Sequence, residues 1–97
     1  MSTKPFTLNI LTPDRMAYEG QVTSVIAPST QGAIGVWADH APLVSALAGG
    51  SLRYQPAGGS WQSLQVGPGV LEMARNTLTL LLESVEGESA AVAGPYA

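Results

Sequence analysis

Turn signals interrupt this chain at short intervals, and the apolar stretches between them suit strands better than helices. Thr12-Pro13-Asp14, Gly20, Pro28-Ser29, Gly32, Gly49-Gly50, Gly67-Pro68-Gly69 and Arg75-Asn76 mark the interruptions. Each has a local cause. Proline fixes φ, aspartate bonds the backbone that follows it, and glycine takes the positive φ that hairpin turns require. Between the turns, apolar residues recur with period 2. Phe6, Leu8 and Ile10 alternate with Thr7 and Asn9, and Leu78, Leu80 and Leu82 share one face of a strand expected at Thr77–Glu83. Further strand pieces read at Met16–Tyr18, Val22–Ala27, Ile34–Trp37, Leu52–Tyr54, Trp61–Val66 and Val70–Ala74, with Gln55–Ser60 as a hairpin loop. The expected fold is all-β, a small antiparallel β-sandwich with at most one short helical turn. That turn is placed at Ala41–Leu47, because Asp39 is a good helix N-cap and Gly49-Gly50 would end a helix there.

A chain of 97 residues holds one domain. Its sandwich is expected over residues 1–84. From 85 to 97 the composition turns to Glu, Gly, Ser and Ala, with little to bury, so that tail is expected to be disordered. Charged residues are 11% of the chain, against about a quarter in an average soluble domain, so uncharged polar and small residues must cover much of the surface. With a net charge of −3 and no basic stripe, nothing is available to neutralise phosphates, which argues against nucleic acid and against direct docking on anionic lipid. The absence of cysteine removes disulfides, thiolate catalysis and the common zinc sites. The N-terminus lacks the apolar stretch of a signal peptide, and no apolar run reaches membrane-spanning length, so the protein is expected to stay in the compartment where it is made.

Catalytic readings fail one by one. His40 is the only histidine, and a nucleophilic triad needs a serine within its reach and a third group to orient it. No serine here sits in a recognisable nucleophile turn. The glycine-rich pieces Gly32–Gly35, Gly58-Gly59 and Gly67–Gly69 do not fit the phosphate-loop pattern, and turn geometry accounts for them. One histidine and scattered carboxylates give no metal-ligand spacing. Trp37 and Trp61 are read as packing residues rather than stacking platforms. A biotinyl or lipoyl carrier needs a lysine at a hairpin tip, whereas Lys4, the only lysine, lies in the N-terminal arm. No catalytic residue, cofactor site or metal site is therefore expected.

Three stretches taken together, residues 6–28, 32–54 and 66–84, resemble the N-terminal β-sandwich of the epsilon subunit of F-type ATP synthases. Tyr18-Glu19-Gly20 matches that family's Tyr/Phe-x-Gly turn. Its loop of form Gly-x-Leu/Ile-Gly-Ile/Val-x3-His-x-Pro-Leu is matched by Gly32, Ile34, Gly35, Val36, His40, Pro42 and Leu43. The later Gly-x-Leu-Glu-Val hairpin is matched by Gly69, Leu71, Glu72 and Met73. The resemblance implies a non-catalytic rotor part, gripping the gamma stalk and resting on the membrane c-ring, that helps couple proton flow to ATP synthesis. It implies subunit contacts at Ile34, Val36, Asp39, His40, Pro42 and Leu43, although capping the end of the sandwich is an equally good role for Asp39. It also implies a monomer when isolated, held indirectly at the cytoplasmic face of a bacterial plasma membrane.

Three departures accompany the resemblance. Ala33 stands where a polar residue is frequent, and Pro68 where glycine is frequent. The residues after Glu83 are too few and too polar to build the helical hairpin that usually follows, so regulation through such a hairpin, and ATP binding with it, are not expected. The competing reading is a free-standing β-sandwich recognition module for a peptide, glycan or small ligand.

Overall fold

A computed structural model describes residues 3–86, and the strands expected from periodicity are present with altered limits. Nine strands follow in order: β1 (Phe6–Thr12), β2 (Arg15–Ser29), β3 (Gly32–Val36), β4 (Leu43–Leu47), β5 (Gly50–Pro56), β6 (Gln62–Val66), β7 (Gly69–Ala74), β8 (Thr77–Leu82) and β9 (Val85–Glu86). Hydrogen bonding connects them in the order β1-β8-β7-β4-β2-β5-β6-β9, with β3 on β2 and a further β1–β2 pairing. The 15-residue strand β2 therefore belongs to two arms. Its first half pairs with β1, and its second half lies between β3 and β5.

The two arms enclose one core. From the first come Phe6, Leu8, Ile10, Leu71, Met73, Leu78 and Leu80, and from the second Val25, Val36, Leu52, Tyr54 and Leu64, all essentially without exposure. Tyr18 and Tyr54 meet across the arms at a ring-centroid distance of 4.8 Å, within the range of favourable tilted pairs. Every ladder is antiparallel except one: β1 and β8 run parallel, with Thr7 opposite Thr77 and Leu11 opposite Leu81.

Two sequence expectations change here. Met16–Tyr18 and Val22–Ala27 are one strand, because Gly20 does not end it but sits opposite Leu8 in the β1 ladder. The helical turn expected at Ala41–Leu47 is absent, and no residue among those described is helical. Leu43–Leu47 is strand β4, paired with β7 from Leu43–Met73 to Leu47–Gly69. Two local features oppose a helix there. Asp39 adopts φ 64° instead of an N-cap conformation, and Pro42 disfavours the α region for Ala41. The alternation of inward Leu43, Ser45 and Leu47 with exposed Val44 and Ala46 completes the case for a strand.

The turn expected at Arg75-Asn76 joins β7 to β8, and both residues take positive φ, 53° and 56°. This is the conformation of a two-residue hairpin turn whose twist matches its strands. The pairing continues past residue 84, since Val85 and Glu86 lie opposite Val66 and Gln65. The rest of the expected tail, residues 87–97, lies outside the described residues.

Candidate functional site

The residues singled out at Ile34–Leu43 do not form one exposed surface. Val36 is fully buried between the arms and serves the core. Ile34 and Leu43 are half-buried and packed against it. Asp39, His40 and Pro42 are exposed, on the connection between β3 and β4.

That connection is fastened at Asp39. Its backbone N–H donates to Asn76 Oδ1, and Asn76 Nδ2 donates back to Asp39 Oδ1 at 2.9 Å. Lys4 Nζ reaches both carboxylate oxygens, at 3.0 and 3.1 Å. The Asn76 carbonyl meanwhile accepts from the Thr7 amide at 3.0 Å. Thus the N-terminal arm, the β3–β4 connection and the β7–β8 turn meet at one carboxylate. The Asn76 and Lys4 hydrogen bonds hold the Asp39 carboxyl below the usual carboxylate range. The His40 ring turns back on its own chain, with Nδ1 2.7 Å from the Ala41 carbonyl, which makes Nδ1 the donor and leaves Nε2 as the ring's other polar atom. Trp37 lies flat enough over β3 that a Cβ on Gly35 would stand 2.7 Å from its ring. Gly35 therefore makes room for the indole.

A second surface was not singled out from the sequence. On the outer face of the first arm, register places Ala46 opposite Val70, Val70 opposite Leu81, Leu81 opposite Leu11, and Leu11 opposite Met16. Residues directly opposite one another share a face, so these five form an apolar row across β4, β7, β8, β1 and β2. Leu81 is 54% exposed, Met16 46% and Val70 43%, and Val44, at 70%, lies beside the row. Beside Leu11 and Leu81 the row opens into a cavity of about 290 Å³ lined by these two, Pro13 and neighbours. Single exposed apolar residues are ordinary, but a contiguous row of them marks a contact surface. A signal was present in the sequence: Leu80-Leu81-Leu82 is apolar at an outward as well as an inward position, which a half-solvated strand does not need.

Chemically, neither surface is equipped for catalysis. His40 is held by its own chain, the row is apolar, and no group of three or more metal-binding side chains exists among the described residues. Both are suited to contact with another protein.

Comparison with known proteins agrees with this chemistry. The model of the ATP synthase delta/epsilon chain β-sandwich domain matches residues 5–88. The ATP synthase epsilon chain of Chlorobium limicola is 40% identical over 84 residues, covering 87% of this chain and 96% of the relative. That of Chlorobaculum tepidum is 39% identical with the same coverage. The epsilon chain of Syntrophomonas wolfei is 35% identical over 89% of this chain but is longer, so the match spans 63% of it. Among solved structures, a chain of the Euglena gracilis mitochondrial ATP synthase (OSCP, F1 and c-ring) superposes with a TM-score of 0.79 at 19% identity, over 84% of this chain and 52% of that one. A chain of the Tetrahymena thermophila mitochondrial ATP synthase central stalk and c-ring gives 0.70 at 13% identity, over 88% and 68%. These two likenesses concern the fold.

Proposed function

Because the chain belongs to the ATP synthase delta/epsilon family, as a non-catalytic central-stalk subunit of epsilon type, we propose that it joins the gamma stalk to the membrane c-ring and transmits rotation between them. The observation that carries this reading is the apolar row of Met16, Leu11, Leu81, Val70 and Ala46. An apolar stripe on a rigid sheet suits a lasting contact with another subunit, since burying it removes water without requiring either partner to reshape. We assign the row to gamma. Asp39, His40 and Pro42 project from one end of the sandwich and are assigned to the c-ring side. Ile34, Val36 and Leu43 act beneath them as support.

The mechanical requirement is stiffness. Two arms that share β2 and close on a core of fully buried side chains yield little under load, because close-packed interiors are poorly compressible. The chain carries torque and performs no chemistry. In a bacterium it sits at the cytoplasmic face of the plasma membrane, held there by the complex.

The test is reconstitution with a purified gamma subunit. A stable complex with the parent chain, lost when Leu81 is replaced by Glu and retained when Ser63 on the other arm is so replaced, supports the assignment. Equal binding by both variants would remove it.

A further inference from the structure

The outer face of the second arm holds a cavity of about 530 Å³, within the ~300–1,000 Å³ range of ligand sites. Its walls include Ile26 and Pro28 of β2, Gly32 and Ala33 at the start of β3, and Ser51 and Arg53 of β5. Register sets Arg53 directly beside Ile26, so a guanidinium borders an apolar floor. No Asp or Glu lines this space. No hydrogen bond or ion pair holds the Arg53 side chain among the described residues, whereas Lys4 is bound to Asp39 and Arg15 lies near Asp14. Among the described residues Arg53 thus stands as an unneutralised cation over a hydrophobic surface.

The rim of the cavity has a further property. Among the described residues strand β3 is paired only with β2, which leaves its other edge open. Pro28 has no N–H, and its carbonyl accepts from the Ala48 amide at 2.8 Å, on the side away from β3. The Pro28–Ala33 pair is therefore one without mutual hydrogen bonds. By the alternation of an antiparallel ladder, the main-chain groups of Ala33 and Gly35 face the open edge. Unpaired strand edges of this kind accept extended peptide.

We propose that this cavity binds an extended segment of a partner protein that carries a carboxylate side chain next to an apolar one. The segment crosses the β3 edge at Ala33, lays its apolar side chain on Ile26 and Pro28, and places its carboxylate on Arg53. Charge complementarity selects the partner: a planar guanidinium pairs with a carboxylate through two parallel hydrogen bonds, and the apolar floor discriminates against a bare hydrated anion. The site lies on the arm opposite to the apolar row, so its occupant is a separate contact, and its test does not involve the stalk.

The experiment is a titration of the isotope-labelled full chain, followed by the amide resonances. Three probes are used: a capped Ala-Leu-Glu-Leu-Ala peptide, its Ala-Leu-Gln-Leu-Ala counterpart, and inorganic phosphate. The glutamate peptide is expected to shift the amides of Ile26, Ala33, Ser51 and Arg53 saturably. The glutamine peptide should bind about tenfold more weakly, since the charge-assisted pair is gone. Arg53→Gln should lose this preference while keeping the rest of its spectrum. No shifts with the glutamate peptide, equal binding of both peptides, or a preference surviving in Arg53→Gln would overturn the proposal. Equally strong shifts with phosphate would overturn it too, by marking a free-anion site. The two peptides compared on the parent chain decide the matter even if the Arg53 variant fails to fold.

Discussion

Asp39 and Asn76 hold each other by reciprocal hydrogen bonds, backbone to side chain in one direction and side chain to side chain in the other, across 37 positions of sequence. Both residues adopt positive φ, which Asp and Asn tolerate better than other residues with side chains. The pair fixes the exposed β3–β4 connection against the β7–β8 turn.

The first prediction concerns pH. Hydrogen bonds from Asn76 and then from Lys4 hold the Asp39 carboxyl of the folded chain below the ordinary carboxylate range. A carboxyl whose pKa falls on folding stabilises the native state above its unfolded pKa, and that contribution is lost as pH drops through the folded value. Stability of the parent chain should therefore decline on acidification below about pH 4, and Asp39→Asn should show a shallower decline. Asp14, lowered mainly by the Thr12 hydroxyl, acts with the same sign, so Asp14→Asn serves as the parallel control. Urea unfolding midpoints across this pH range provide the measurement. An unchanged pH profile in Asp39→Asn would show that the pairing does not stabilise the fold.

A second prediction concerns Gly69. A Cβ there would stand 2.0 Å from the Leu81 carbonyl oxygen, which is backbone in a paired strand and cannot swing aside. Gly69→Ala must push β7 from β8, and the expected loss is about 3 kcal/mol, at the upper end of ordinary overpacking. Chemical denaturation reads it directly. A loss under about 1 kcal/mol would mean that the two strands separate without strain.

The third prediction separates the exposed loop from its support. His40→Asp leaves the core untouched and should weaken assembly with the c-ring by about tenfold, a typical outcome for truncating one well-placed contact. Leu43→Asp buries a charge against the core and should unfold the domain before any assembly can be scored. Circular dichroism on both variants, followed by assembly assays on whichever remains folded, distinguishes the two roles. A folded Leu43→Asp chain would contradict the packing described for β4.

Turn chemistry was the most legible part of the fold. Arg75-Asn76 reads as a turn because asparagine accepts a left-handed backbone, and both residues adopt one. Strand β4 was not legible as a strand. Five residues, with a leucine at each end of Val44-Ser45-Ala46, satisfy helix and strand periods alike, and the pairing of Leu43 with Met73 decides between them. Gly20 misled in the opposite sense: glycine punctuates a sequence, yet here it passes through the middle of a ladder. Of the residues expected to make subunit contacts, Asp39, His40 and Pro42 lie on the surface, while Val36 lies inside because it continues the inward period of β3. The apolar row could not be seen along the chain. Ala46, Val70, Leu81, Leu11 and Met16 become neighbours only once the strand register is known.

The parallel contact between β1 and β8 has a consequence for how the protein is made. The ribosome delivers β1 and its hairpin partner β2 first, and β8 only after β3 to β7 have been made. Until then one flank of β1 has no neighbour, and Leu8 and Ile10 lack the Leu78 and Leu80 that will lie beside them. Closing that gap draws together segments far apart in sequence, and the ladder from β2 through β4 and β7 carries β8 to its place. The nascent chain must therefore wait with a hydrophobic edge uncovered, and the domain closes only after Leu82 has left the exit tunnel.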